Sequence, residues 1–98
     1  MNYENAQIFI TDHAKIRLKE RFGISNDTTQ KKWARRALIE GVNLYDIPTT
    51  YPYVRVFPKL NHIYQVREEI LYIFEEDREV ENKFRLVTVY KLPKAFLT

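Results

Sequence analysis

The stretch Thr11 to Arg21, TDHAKIRLKER, sets His13, Arg17 and Arg21 at four-residue intervals with Glu20 beside them. On a helix this spacing places the three on one stripe. An imidazole titrates near neutrality and can give or take a proton. A guanidinium presents a planar fork that matches two oxygens of a phosphate. Together they suit one wall of a site that handles phosphate. The plainer reading is a solvated helix surface on which Glu20 pairs with an arginine three or four residues away, stabilising the helix by about 0.2 to 0.5 kcal/mol. A lone histidine in a first helical turn is more often a surface or capping group than a proton carrier, so both readings stand at this point.

The elements that must position these groups follow from patterns in the same letters. Ala14, Leu18 and Phe22 recur four apart and form the buried stripe of an amphipathic helix. Thr11 or Asp12 offers an oxygen to cap its start, and Gly23 supplies a left-handed stop after about Phe22. Ser25 to Asp27 (SND) caps a second helix, roughly Thr28 to Gly41. Trp33, Ala34, Ala37, Leu38 and Gly41 are its inward side and Lys31, Lys32, Arg35 and Arg36 its outward side. Trp33 at this spacing reads as core rather than as a stacking platform. Ile8, Phe9 and Ile10 form a short apolar lead-in and a candidate extra strand. Between Asn43 and Lys59 three prolines (Pro48, Pro52, Pro58) predict a loop with at most an edge strand near Tyr53 to Phe57.

The remaining chain reads as antiparallel sheet. HIYQVR (62–67), ILYIFE (70–75) and FRLVTVYK (84–91) are rich in branched and aromatic residues. Glu68-Glu69 makes a tight turn, and the polar EDREVENK joins the second strand to the third. Leu71 and Ile73 alternate with Tyr72 and Phe74, which predicts a strand buried on both faces. Simple alternation places Leu86, Thr88 and Tyr90 on one face and Arg85, Val87, Val89 and Lys91 on the other. The expected fold is α+β: two N-terminal helices packed on one face of a three- to four-stranded antiparallel sheet, the other face open to a ligand.

Length and composition bound the remaining possibilities. Ninety-eight residues, 45% hydrophobic and 14% aromatic, supply one core and so one domain spanning 1–98. The absence of cysteine excludes disulfides and thiolate zinc sites and suits a reducing cytosol. No secretion signal or membrane-length apolar run is visible, so a soluble cytoplasmic protein without membrane partners is expected. His13 and His62 have no companions at ligand spacing, so no metal and no cofactor is expected, and His62 reads as structural or solvent-exposed. With only Gly23 and Gly41 there is no glycine-rich phosphate loop, which disfavours nucleotide hydrolysis. The net charge of +3 conceals a polarity: eight basic residues face two acidic ones between His13 and Leu38, and seven acidic face one basic between Glu68 and Glu81. A basic face attracts a polyanion such as RNA or DNA.

HAKIRLKERFGI near the N-terminus and LVTVYKL near the C-terminus, with a strand ending in FEE between them, together resemble small bacterial and phage proteins of the RelE-like, or barnase-EndoU-colicin-RelE, class. The resemblance covers the first helix, the order of the sheet and the last strand. It implies a helix-plus-sheet fold whose better-known members cut RNA without a metal, often as toxins restrained by an antitoxin. Within the matching motifs it carries over to His13, Arg17 and Arg21 on the helix and to Thr88 and Tyr90 on the strand. The acidic run Glu75 to Glu81 and the lack of a strongly basic C-terminal segment depart from the class.

Metal-free cleavage of RNA needs a base for the 2′-hydroxyl proton, cations for the charge growing on phosphorus and an acid for the departing 5′-oxygen. The expectation is therefore an endoribonuclease with His13 as general acid or base, Arg17 and Arg21 as phosphate ligands and Tyr90 as second proton or stacking group. The alternative is a non-catalytic phage or mobile-element accessory protein that binds nucleic acid or a host protein through Lys31, Lys32, Arg35 and Arg36. A third use of the charge polarity is docking of a basic partner, or of a second copy in a homodimer, on Glu68 to Glu81.

Overall fold

Thr11 ends the first strand and starts the first helix through one hydroxyl. Its Oγ1 accepts the Ala14 N–H at 3.1 Å and lies within donating distance of the carbonyls of Leu86 (3.0 Å) and Val87 (3.2 Å). The computed structural model describes residues 3–47 and 61–93. In chain order it contains β1 (Gln7–Ile10), α1 (Asp12–Phe22), α2 (Asp27–Glu40), β2 (Val42–Asn43), a 3-10 turn (Leu44–Asp46), β3 (His62–Arg67), β4 (Ile70–Glu76) and β5 (Lys83–Lys91). The segment 53–57, read as a candidate edge strand, and the three loop prolines lie outside the described residues.

Both helices form where their caps predict. Gly23 closes α1 with φ of 68°, its N–H bonded back to Lys19 at 3.0 Å and that of Ile24 to Leu18 at 3.1 Å. Asn26 caps α2 by accepting the Thr29 N–H at 3.1 Å. The far end of α2 is held from the sheet. Buried Gln65 on β3 points its Nε2 at the carbonyls of Ala37, Leu38 and Gly41, 3.2 to 3.3 Å away. Gly41 sits so close to the Ala37 carbonyl that a Cβ there would collide with it.

The sheet corrects the expected arrangement. Among the described residues it has five strands in the order β1-β5-β4-β3-β2, and it is mixed because β1 runs parallel to β5, from Gln7 opposite Lys83 to Ile10 opposite Leu86. The apolar lead-in is thus a full edge strand. Its partner is supplied by the far end of the chain, where Ile8 can join the helix-side core.

A second correction comes from a β-bulge. Phe74 pairs with Leu86 but Ile73 pairs with Thr88, leaving Val87 as an extra residue on β5. Alternation therefore reverses partway along the strand. Phe84, Leu86 and Val89 belong to the helix-side core, whereas Thr88 and Tyr90, opposite Ile73 and Leu71, lie on the far face. Leu86 does not share a face with Thr88 and Tyr90.

Two apolar clusters result. Ala14, Leu18, Ala34, Ala37 and Leu38 from the helices meet Ile70, Tyr72 and Phe74 of β4, with Trp33 and Phe22 packed at the margin. On the far face Leu44, Tyr64, Val66, Leu71 and Leu92 form the smaller cluster, joined by Ile47 and Ile73. β4 is buried on both sides, as its composition predicts. The far face is only partly open, because Leu44 and Ile47 pack over its β2–β3 end. No described helix is long and apolar enough to cross a membrane.

Candidate functional site

The α1 stripe points away from the core, and its three members differ in what holds them. His13 is exposed and makes no hydrogen bond or ion pair with the described residues. Arg17 lies 3.5 Å from the Glu20 carboxylate, a half-exposed pair of the kind that contributes little. Arg21 is committed more firmly. Its Nη1 donates to the Val89 carbonyl at 2.6 Å, and its guanidinium carbon stands 5.0 Å above the centre of the Tyr90 ring.

The cause lies in the strand edge. β1 stops at Ile10, opposite Leu86, and the rest of β5 has no neighbour on that side among the described residues. Backbone groups there still need partners. Thr11 takes the carbonyls of Leu86 and Val87, and Arg21 takes that of Val89. Helix and strand are thereby stitched along one line.

This geometry brings Arg21 and Tyr90 together and spreads the others along the helix. Four residues rise about 6 Å, so Arg17 follows His13 by about one turn, while Arg21, with Tyr90 beside its guanidinium, starts about 12 Å along the axis from His13. Thr88 stays out of this group. It is buried on the far face, and its hydroxyl has no hydrogen-bond partner among the described residues.

The four α2 cations do not form one patch. Arg35 donates to the carbonyls of Glu4 (3.3 Å) and Ala6 (3.0 Å) and so pins the segment before β1. Lys31 lines a cleft against α1 with Lys15 and Asp27. Lys32 and Arg36 line a separate groove with Trp33 and Arg67.

A constellation not singled out from the sequence lies across the far face. His62, Glu75 and Arg85 face one another on β3, β4 and β5. His62 Nε2 is 3.8 Å from Glu75, while Arg85 reaches Glu75 at 2.7 Å and Asp77 at 3.1 Å. They line an open groove of about 680 Å³ with Glu76, Arg78 and Glu79. The Arg85 hydrogen bond holds the Glu75 carboxyl below the usual carboxylate range. The N–H groups of Val80 and Glu79, and then Arg85, do the same for Asp77. Arg85 is itself raised, first by Glu75.

A histidine, a carboxylate and a guanidinium in contact is a set able to move protons. Here, however, both arms of Arg85 are taken by carboxylates, and four acidic residues line the groove against two arginines. A phosphate is repelled there, and the row reads as an ionic tie across three strands. The signal that could have located half of it is the two-residue turn at Glu68-Glu69: counting outward from it pairs His62 with Glu75.

Among the described residues no group of three His, Asp or Glu side chains converges to hold a metal ion. No family model, curated protein or solved structure matches the chain.

Proposed function

We propose that the chain is a small RelE-like endoribonuclease that cleaves RNA by metal-free transesterification on the basic side of the molecule. The observation that carries this reading is the contact of Arg21 with Val89 and Tyr90, which joins the α1 stripe to the last strand as one surface. In the reaction the 2′-hydroxyl oxygen attacks the adjacent phosphorus and the bond to the 5′-oxygen breaks. The products are a 2′,3′-cyclic phosphate and a 5′-hydroxyl. His13 takes the 2′-hydroxyl proton as the new bond to phosphorus forms and returns it to the departing 5′-oxygen, and Arg17, one turn away, neutralises the phosphorane. Tyr90 supports the neighbouring nucleotide by stacking, and Arg21 positions the tyrosine rather than holding the scissile phosphate. The weak Arg17–Glu20 pair is readily exchanged for a phosphate ligand. Product analysis of RNA incubated with the protein and a chelator tests the reading: cyclic-phosphate ends support it, and intact RNA opposes it. An antitoxin-like protein that covers the α1 stripe is the partner class this activity calls for.

A second reading, a non-catalytic accessory protein that binds nucleic acid or a host protein, is favoured by the exposure of Lys31, Lys32 and Arg36, which extends the cationic surface beyond any proton-transfer group. It predicts salt-sensitive binding with no product.

A further inference from the structure

The groove between the outer side of α2 and the β3–β4 turn has the composition of a nucleotide site. Thr29, Lys32, Trp33 and Arg36 stand at i, i+3, i+4 and i+7, so they share one helical face, and all four line it. Arg67 and Glu68 form the opposite wall, enclosing about 290 Å³. The Trp33 indole is half-buried, packed against the helix-side core while lining the groove, which makes it a fixed aromatic surface. The charges divide between wall and ligand. Arg67 is held by Glu40 at 3.4 Å and by Glu68 at 3.6 Å, which fixes it in place and balances its charge. Lys32 and Arg36 have no carboxylate partner among the described residues, so their charge is available to an anion.

We infer that this groove binds one nucleotide unit of single-stranded nucleic acid, with its base against Trp33 and its phosphate between Lys32 and Arg36. An aromatic surface beside two uncommitted cations matches a π-face joined to a phosphate. Only an unpaired strand can turn a base out to lie on a side chain. The inference rests on the reading of the chain as a protein that acts on RNA, and places a second hold on the strand away from the His13–Arg17 pair. It also divides the α2 cations, giving Lys32 and Arg36 to the strand while Arg35 serves the fold.

Trp33 is the sole tryptophan of the sequence, so its emission reports on the groove. The test titrates the full chain with a 2′-O-methyl oligouridylate, which has no free 2′-hydroxyl to react. Tryptophan emission is followed, with the anisotropy of a labelled copy of the same strand as an independent measure of binding. The expected result is saturable quenching that parallels the anisotropy. Binding should weaken about tenfold or more in Lys32→Glu/Arg36→Glu, and similarly in Trp33→Ala, while Trp33→Phe keeps most of the affinity because phenylalanine also stacks. If anisotropy reports binding while emission stays flat, or if the charge-reversed variant binds as well as the parent, the groove assignment is overturned and the RNA reading survives. If neither probe reports binding at low salt, both are overturned.

Discussion

The guanidinium of Arg21 donates to the carbonyl of Val89 at 2.6 Å, at the place on β5 where β1 has already turned away into α1. One side chain therefore completes the sheet edge that a longer first strand would have completed, and its other face lies over Tyr90 at 5.0 Å. Arg17, on the same stripe, has only an exposed glutamate for company among the described residues. Two arginines that look equivalent in sequence thus carry different burdens.

Stability should separate them. Arg21→Ala removes a charge-assisted hydrogen bond to a strand carbonyl and should cost about 1 to 2 kcal/mol. Arg17→Ala should stay within about 0.5 kcal/mol of the parent. Urea denaturation midpoints measure both, and equal losses would show that the strand-edge account of Arg21 is wrong.

The clamp on α2 gives a second expectation. Gln65→Leu keeps the apolar bulk but strips the last turn of α2 of the donor near three carbonyls. The variant should lose about 1 to 3 kcal/mol. Gly41→Ala pushes a methyl group into the Ala37 carbonyl and should cost a similar amount. Hydrogen exchange in the last turn of α2 should accelerate in both variants. Unchanged protection there would contradict the clamp.

Much of the helical layer was legible because its signals are local. Thr11, Gly23 and Asn26 act on neighbours within a few residues, and each sits where its chemistry predicts. The place of β1 was not legible, since Ile8 and Ile10 meet a strand more than seventy residues away and nothing near them names it. The bulge at Val87 was hidden too, because FRLVTVYK alternates without a glycine or proline to mark the extra residue. That one residue moved Tyr90 to the opposite face from Leu86. The α1 stripe was legible as a candidate site. Its link to β5 depended on the edge that β1 leaves open, and the His62–Glu75–Arg85 row depended on register.

The ionic row predicts the acid limb of stability. Glu75 and Asp77 titrate lower in the folded chain than in the unfolded one. Their contribution is therefore complete above the ordinary carboxylate range and is lost as pH falls below about 4. Arg85→Gln relaxes the Glu75 carboxyl toward its ordinary value and removes the smaller Arg85 contribution at Asp77, where the Val80 and Glu79 N–H groups remain. The acid-unfolding midpoint, followed by circular dichroism, should move to higher pH. A midpoint that does not move would remove the row from the stability account.

The alkaline limb has a different owner. Burial raises the Tyr72 hydroxyl to about 12, so the folded chain favours its neutral form. That stability holds below about 10, the ordinary tyrosine value, and is lost as pH rises toward the folded value. Absorbance titration of the tyrosines should show a late ionisation near pH 12 that coincides with unfolding and disappears in Tyr72→Phe. Persistence of the late step in that variant would assign it elsewhere.

Cleavage of a defined RNA in excess chelator decides whether His13 and Arg17 carry the reaction, comparing the parent with His13→Ala, Arg17→Ala and the double variant, all checked for folding. The parent should give cyclic-phosphate products, and each single variant should lose about a hundredfold or more in rate. Cleavage that survives unchanged in the double variant, or an RNA left intact by the parent, would contradict it.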